Sequence, residues 1–444
     1  MECMSYPNHP VMRYFSTNDR TRRVSLKEAV LDSLPPDNGL YLPERLPALD
    51  AAFWSEWRDL PFAEIGVRVA EAFFGGDVPA DTLAALTRDA VSFDAPLVPV
   101  AERRHVLELF HGPTLAFKDF GARFMARLMG WLARDDAGGL TVLVATSGDT
   151  GGAVAHAFHG VEGIRVVILY PQGKVSGLQE KQLTTLGGNI TALEVDGTFD
   201  DCQRLVKAAL PDPAVNARRR LTSANSINIA RLVPQSFYYI HSMRMLPPDA
   251  EAVFVVPSGN LGNITAGLLA ERMGLRVNRF VAALNRNDTL SPYLAGGTYQ
   301  PRPSVATLSN AMDVGAPSNF ARMREIFGHQ AAAMADRVAA FSVSDDETLD
   351  TIRAVSASHG YQLDPHGAVG WHAANRWLEL HPETTAIILE TAHPAKFPEV
   401  MDRALGPGHV EIPERLACLA NLEKQAVPMP ADEATFMAWL META

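Results

Sequence analysis

Between residues 94 and 390, short runs of apolar residues alternate with stretches of helical periodicity. The strand-like runs are LTVLVA, IRVVILY, ITALEV, AVFVVP, RFVAAL and TAIILE, and helical stretches separate most of them. Continuous apolar strands that alternate with helices are typical of parallel sheets covered on both faces. The pattern therefore predicts an α/β fold, in which ligands bind beyond the carboxyl ends of the strands.

Residues 26–93 follow a different, mainly helical pattern. The segments VSLKEAVLDSL and FAEIGVRVAEAFF have helical apolar spacing, and each is followed by Pro or Gly. The segment between them, LPPDNGLYLPERLP, is rich in Pro and turn residues, which favours a loop that approaches a neighbouring domain. A chain of 444 residues exceeds the ~250–300 residues of a single core, so we expect an N-terminal accessory domain over 1–93 and further domains beyond it.

Composition and charge exclude several classes of protein. The formal net charge of −12 opposes non-specific binding to nucleic acid or to an anionic membrane, so an anionic substrate needs local donors. The N-terminus lacks a secretory signal and no apolar run approaches ~20 residues, which favours a cytoplasmic protein. Cys3, Cys202 and Cys418 are widely separated, which predicts neither a disulfide framework nor a zinc site. Cys202 lies in a predicted amphipathic helix over 199–210, where a core position is expected.

The segment HGPTLAFKDF places Lys118 among apolar residues. Desolvation lowers the pKa of a lysine toward the range in which its amine is nucleophilic, which suits a Schiff base. The alternative is a lysine whose amine extends to solvent beside Asp119.

Two loops follow predicted strands and lead into predicted helices. The first, Thr146 to Thr150, presents backbone donors and hydroxyls at a helix N-terminus, where an anion can bind, although a plain helix cap is the alternative. The second, PSGNLGN, has two glycines that let the backbone approach a ligand, and its amides with the helix dipole can cradle a phosphate. This second loop has neither the GxGxxG spacing of a dinucleotide fold nor a P-loop motif, so nothing supports nucleotide binding.

Two further segments carry polar groups in suitable places. SANSINIAR brings amide, hydroxyl and guanidinium groups together before a helix, which suits a second phosphate. The alternative is that Ser226 or Asn228 caps this helix while Arg231 lies on a solvated face. Thr391 follows the strand TAIILE and is placed to hydrogen-bond a ring nitrogen, unless backbone groups satisfy it.

These features together indicate a phosphorylated cofactor and a phosphorylated substrate. A lysine nucleophile and a phosphate cradle without a nucleotide signature are the requirements of lysine-bound pyridoxal phosphate. The second anion site is then left for the substrate. No cluster of metal ligands and no Ser-His-Asp order appears in the sequence, so no metal is predicted.

The motifs resemble the threonine synthase family. The matching segments are HGPTLAFKDFG, TSGDTGGAVAHAF, LQEKQLTTLGGNI, SANSINIARL, PSGNLGN, TLSNAMDVGAPSN and TAHPAKF. The resemblance extends to about Phe397 and is greatest to the long bacterial and fungal branch with an N-terminal accessory domain. It implies fold type II of the pyridoxal-phosphate enzymes, similar to the tryptophan synthase β chain, with two open α/β domains and the cofactor between them. The expected division is 94–139 with 245–444 as the large domain, including a C-terminal cap, and 140–244 as the small domain.

The resemblance also implies residue roles. Lys118 matches the cofactor lysine, Thr391 faces the pyridine nitrogen, and the cofactor phosphate loop consists of Gly259, Asn260, Leu261, Gly262 and Asn263. The donors expected for the substrate phosphate are Thr150, Asn225, Ser226, Asn228 and Arg231, together with Asn263. Two positions depart from the family pattern. Asp149 stands where the short branch has Asn, at the contact to the cofactor's 3-hydroxyl, and Leu261 stands where Phe is common.

The implied reaction converts O-phospho-L-homoserine and water to L-threonine and phosphate, as the last step of threonine biosynthesis. One rival is a pyridoxal-phosphate-dependent phospho-lyase that releases 2-oxobutyrate, and another is a non-catalytic sensor with the same fold. The sequence leaves both a monomer and a homodimer open.

Overall fold

A computed structural model describes residues 10–136 and 138–443, arranged around three sheets. The N-terminal part, up to residue 90, contains β1 (Tyr14–Ser16), α1 (Leu26–Leu31), β2 (Tyr41–Pro43), α2 (Ala51–Glu56), α3 (Phe62–Phe74) and α4 (Ala80–Ala90). The predicted helix FAEIGVRVAEAFF is confirmed as α3, with its apolar positions buried. The strands β1 and β2 form a small antiparallel pair. This part is therefore mainly helical, as expected.

The middle of the chain alternates strands and helices. Its elements are β3 (Leu97–Ala101), β4 (Arg104–Glu108), α5 (Lys118–Ala133), β5 (Leu140–Ala145), α6 (Asp149–Phe158), β6 (Ile164–Pro171), α7 (Gly177–Thr184), β7 (Ile190–Asp196), α8 (Phe199–Ala209), α9 (Pro213–Arg218), β8 (Arg220–Ser223), α10 (Ile229–Leu232), α11 (Ser236–Met243) and β9 (Ala252–Pro257). Cys202 is buried in α8, as expected, and Cys418 is exposed; both are free thiols, and Cys3 lies outside the described residues.

The alternation continues toward the C-terminus. The elements are α12 (Gly262–Arg272), β10 (Arg279–Leu284), α13 (Leu290–Gly296), α14 (Phe320–Ile326), α15 (Ala331–Ala335), β11 (Val338–Ser342), α16 (Asp345–His359), α17 (Pro365–Leu380), β12 (Thr385–Glu390), α18 (Pro398–Leu405), α19 (Glu414–Ala417), β13 (Val427–Pro430) and α20 (Glu433–Thr443). Across the described ranges, no helix has both the length and the apolar character needed to cross a bilayer.

The larger sheet has six strands in the order β11-β10-β9-β12-β4-β3. All neighbours are parallel except β3 and β4, which are antiparallel. The central strand β9 is buried along its whole length, as a strand covered by helices on both faces must be. The predicted runs AVFVVP, RFVAAL and TAIILE are confirmed as β9, β10 and β12.

The smaller sheet has five parallel strands in the order β13-β7-β6-β5-β8. The runs LTVLVA, IRVVILY and ITALEV are confirmed as its strands β5, β6 and β7. The C-terminal segment differs from the expectation that 245–444 belongs wholly to the large domain. Residues 427–430 extend the smaller sheet beside β7, and Phe436 and Leu440 of α20 are buried against the core of α8.

Candidate active site

A cleft of about 600 Å³ opens at the carboxyl ends of strands from both sheets. Ala145, Ser223 and Pro257 end strands β5, β8 and β9 there, and Thr391 follows β12 directly. The loop between α1 and β2 also lines the cleft, through Leu34 and the run 38–40. The predicted Pro-rich loop thus approaches the neighbouring domain, as the sequence indicated, and the ligand-binding end of the parallel sheets is where the general rule places it.

Lys118 is the first residue of α5, and its side chain is 14% exposed. Its Nζ lies 3.5 Å from Asp149 Oδ2 and 4.8 Å from the centre of the Phe117 ring. Burial lowers the pKa of this amine, and the charges of Arg231 and Lys396 lower it further, whereas Asp149 raises it. The alternative partner Asp119 is engaged elsewhere, because it accepts hydrogen bonds from the backbone and hydroxyl of Thr114. The amine is thus desolvated and faces the cleft.

The loop between β9 and α12 has the properties of a phosphate cradle. Leu261 has the left-handed φ of 58°, and α12 begins at Gly262, so the first amides of the helix have no partner within it. A Cβ on Gly259 would lie 2.6 Å from Met312 Cα, which explains why only glycine fits there. Asn263 Oδ1 accepts hydrogen bonds from Tyr238 and Tyr239, but its Nδ2 is buried without a partner among the described residues. A buried unpaired donor beside free amides fits an anionic group such as the cofactor phosphate.

The segment 223–231 lines the cleft beside this loop. Arg231 is buried, donates to Ala224 O at 2.6 Å, and has no carboxylate partner in the described parts of the chain. Burial lowers its pKa to about 10. Asn225 Nδ2 donates to Ala145 O at 2.9 Å, and Ser226 Oγ accepts from Asn260 Nδ2 at 2.5 Å. The loop of residues 259–263 and the segment 223–231 are therefore joined by a hydrogen bond.

Thr150, Asn225, Ser226 and Arg231 all line the cleft, but Asn228 does not. The side chain of Asn228 caps α10 by accepting from Ala230 N at 2.9 Å, and its Nδ2 donates to Val30 O at 2.8 Å. This position contradicts the expectation that Asn228 binds phosphate. Its side chain caps the helix instead, which was the alternative. Arg231, in contrast, does not lie on a solvated face.

Replacing Asn228 with alanine should lower the stability of the protein and leave substrate binding nearly unchanged. The loss of a buried cap and of the bond to the N-terminal domain should reduce the free energy of unfolding by about 1–3 kcal/mol. Urea unfolding and the KM for a phosphorylated substrate measure the two effects. A raised KM at wild-type stability would instead indicate that Asn228 contacts the substrate phosphate.

Asp149 begins α6 and is held by groups that the sequence motifs did not single out. Lys396 Nζ lies 2.7 Å from Asp149 Oδ1, and Gln179 Nε2 donates to the same oxygen at 2.8 Å. These charges and hydrogen bonds hold the pKa of Asp149 well below its usual range, although burial opposes them. Lys396 belongs to the motif TAHPAKF, yet nothing local to it indicates a partner 247 positions away.

Thr391 lies between the cleft and a buried acidic cluster. Its carbonyl accepts from Phe117 N at 2.8 Å, while its hydroxyl has no hydrogen bond to any described residue. Behind it, Glu390 Oε1 accepts from Asp364 N at 2.5 Å, and Asp364 Oδ1 lies 2.6 Å from His366 Nδ1. His366 lines the cleft. Across residues 10–136 and 138–443, no three or more His, Cys, Asp or Glu side chains form a group that could hold a metal ion.

Glu390 should destabilise the fold as the pH rises. Burial and the carboxylate of Asp364 raise its pKa well above the ordinary value, so the folded protein binds a proton that the unfolded chain releases. The resulting loss in the free energy of unfolding begins above the pKa of about 4.5 in the unfolded chain, and it grows until the pH reaches the pKa in the folded protein. Glu390→Gln is therefore expected to be more stable than the wild type at pH 8, by about 1 kcal/mol or more, with the difference shrinking toward pH 5.

Urea unfolding at a series of pH values measures this difference, with the exposed Glu102→Gln as the control. A wild-type advantage that grows with pH would mean that Glu390 is ionised in the folded protein.

Three family models match the chain. They are described as threonine synthase N terminus, over residues 13–91, pyridoxal-phosphate dependent enzyme, over 105–391, and threonine synthase, C-terminal, over 367–439. The second covers the strands from β4 to β12, and it includes Lys118 and the loop of residues 259–263.

Similar proteins and solved structures extend over nearly the whole chain. A threonine synthase from Haemophilus influenzae is 44% identical over 434 residues, which are 97% of this chain and 100% of that protein. The crystal structure of threonine synthase from Escherichia coli has a TM-score of 0.91 and 42% identity, covering 98% of this chain and 100% of that one. A pyridoxal-phosphate-bound threonine synthase from Brucella melitensis has a TM-score of 0.89 and 35% identity, covering 97% of this chain and 99% of that one.

Proposed function

The chain belongs to the threonine synthase family and is a pyridoxal-phosphate-dependent enzyme of fold type II, and we propose that its cleft converts O-phospho-L-homoserine and water to L-threonine and phosphate. The choice of substrate rests on two adjoining walls of hydrogen-bond donors around one desolvated lysine. One wall is the loop of residues 259–263, and the other is the segment 223–231 with Thr150. A phosphorylated cofactor and a phosphorylated substrate require two such walls.

The residues of the cleft fit the cofactor. Lys118 would hold it covalently, the amides of the loop and Asn263 Nδ2 would bind its phosphate, and the free hydroxyl of Thr391 would face the ring nitrogen. Asp149 would contact the 3-hydroxyl. When bound, pyridoxal phosphate supplies an electron sink for negative charge that develops on the substrate carbons. A neutral threonine hydroxyl there would leave the ring nitrogen unprotonated and would limit that sink.

The substrate phosphate would be held by Arg231, Ser226, Asn225 and Thr150. Arg231 carries the main charge, because its guanidinium has no carboxylate partner in the described chain and its only hydrogen bond from Nη1 goes to a carbonyl. A charge that is already desolvated and held in place binds a dianionic group without further reorganisation. The same donors keep the released phosphate near the site.

Lys118 would act as the proton carrier once its amine is released by the substrate. Its desolvated amine can accept a proton from the carbon skeleton and return one at a neighbouring carbon, since its pKa is lowered toward neutrality. Its Nζ lies 4.8 Å from the centre of the Phe117 ring, and Leu261 lines the same cleft together with Leu34 and Leu40 of the N-terminal domain. These walls limit early access of water, which must add only after phosphate leaves.

Product analysis tests the proposed reaction. The protein is mixed with O-phospho-L-homoserine, and phosphate, L-threonine and 2-oxobutyrate are measured, with unphosphorylated L-homoserine as the control substrate. Equal amounts of threonine and phosphate, with no turnover of homoserine, are expected. Equal amounts of 2-oxobutyrate and phosphate would replace the proposal with the phospho-lyase, and no turnover would favour a sensor.

The organisation proposed for this activity is an accessory domain over 1–93, a large domain over 94–139 and 245–426, and a small domain over 140–244 joined by 427–443. The pairing of β13 with β7 supports the last assignment.

We propose a cytoplasmic location and a small-molecule substrate with no nucleic-acid or membrane partner, which agrees with the net charge of −12.

A further inference from the structure

Two lysines share the single carboxylate of Asp149. Lys396 Nζ lies 2.7 Å from Oδ1, whereas Lys118 Nζ lies 3.5 Å from Oδ2. The Lys396 side chain has no exposed surface, and its Nζ also donates to Thr114 O at 2.7 Å. The contact with Lys396 is therefore short and fully buried, and the contact with Lys118 is longer and partly open to the cleft.

The rest of the Lys396 environment fixes this arrangement. Lys396 ends the short 3₁₀ turn Pro394–Lys396, and its carbonyl accepts from Ser176 Oγ at 3.0 Å. Gln179 Nε2 donates to the same Asp149 oxygen as Lys396 does. A carboxylate that already receives a buried ammonium and an amide donor on one oxygen is held in place and largely neutralised.

The consequence concerns the reactivity of Lys118. A short, exclusive ion pair between Asp149 and Lys118 would keep the Lys118 amine protonated and unable to attack an aldehyde. Because Lys396 takes the closer position, Asp149 can orient Lys118 without holding its proton. The arrangement also accounts for an acidic residue at position 149, since the charge of Lys396 balances it.

We propose that Lys396 is a positioning residue that holds Asp149 in a buried ion pair, so that the Lys118 amine can lose its proton and react with the cofactor aldehyde. In that reaction one proton of the ammonium goes to solvent, the C=O bond of the aldehyde is replaced by a C=N bond to Nζ, and the aldehyde oxygen leaves as water with the two remaining hydrogens of the amine. The inference rests on the proposed function in one respect, the role of Lys118 as the nucleophile.

The charged groups that act on the pair are all part of the same cluster. Asp149, Arg231 and Lys396 act on Lys118, with Asp149 raising its pKa and the two cations lowering it. Asp119 faces Lys396 from α5, and its own pKa is raised, mainly by burial. Removal of the Lys396 charge therefore leaves Asp149 with Lys118 as its nearest cation.

The test follows cofactor uptake rather than turnover. Full-length protein is stripped of cofactor, pyridoxal phosphate is added, and the absorption of the lysine-bound form is followed at a series of pH values. In Lys396→Met the midpoint of the rate profile is expected to move up by about one pH unit or more, so that uptake at neutral pH slows about 10-fold or more. The control Lys424→Met, which removes a lysine paired with Glu180 and Glu194 on the surface, should leave the profile unchanged.

A second variant separates positioning from folding. Lys396→Met combined with Asp149→Asn removes both charges, and its midpoint should return to or below the wild-type value. If Lys396→Met alone does not fold, Asp149→Asn alone should shift the midpoint down. An unchanged midpoint in the folded single variants would overturn the role of Lys396, even while wild-type protein makes threonine. Absence of lysine-bound cofactor in the wild type at every pH would instead overturn the proposed function.

Discussion

Replacing Lys118 with alanine is expected to lower kcat for threonine formation by about 10³-fold or more. In the proposed reaction Lys118 is both the nucleophile that holds the cofactor and the group that moves protons between the substrate carbons, and each of these roles alone contributes orders of magnitude to a rate. Release of phosphate and threonine from saturating O-phospho-L-homoserine measures the effect.

The matched control for this variant is Lys174→Ala, which removes an exposed lysine outside the cleft. Its kcat should equal that of the wild type. More than about a tenth of wild-type activity in Lys118→Ala, in protein freed of any wild-type contamination, would contradict the assignment of Lys118.

Replacing Arg231 with methionine is expected to reduce kcat/KM for the phosphorylated substrate by about 10²- to 10³-fold. The guanidinium is buried with no carboxylate partner in the described chain, so its charge is available to the phosphate, and loss of one member of a buried charged pair costs roughly 2–5 kcal/mol. Methionine keeps most of the volume beside Gly121, where the backbone of Arg231 packs closely against α5.

Steady-state kinetics at several substrate concentrations measure this loss, and Arg231→Lys provides a graded comparison. Lysine keeps the charge but not the fork of donors, so its kcat/KM should fall between those of the wild type and Arg231→Met. Inhibition by inorganic phosphate should weaken in the same order. An unchanged kcat/KM in folded Arg231→Met would place the substrate phosphate elsewhere.

Much of the fold follows from the sequence because its signals are local. A continuous apolar run such as AVFVVP between turn residues predicts a buried strand, and β9 has the same bounds. The same holds for α3, whose apolar spacing places its buried face. The strand β13 was missed, because VPMP is short, contains two prolines and belongs to the sheet only through its pairing with β7 across the whole domain.

The candidate site likewise contains residues that local motifs predict and residues whose roles depend on contacts between distant segments. The motifs around Lys118, Asp149 and residues 259–263 combine reactive or flexible residues within a few positions, and all of them line the cleft. Asn228 has the residue type of a phosphate ligand, but its orientation is set by Val30 of the N-terminal domain, which local sequence does not reveal. The pairing of Lys396 with Asp149 and the raised pKa of Glu390 beside Asp364 likewise depend on contacts between distant segments.

The most direct test of the account is the position of the covalently bound cofactor. Borohydride reduction of the protein with pyridoxal phosphate, followed by digestion and mass spectrometry, identifies the modified lysine. The cofactor mass is expected on the peptide that contains Lys118, and Lys396 is expected to be unmodified, although both amines lie close to Asp149. Modification of Lys396 with Lys118 left free would contradict the account.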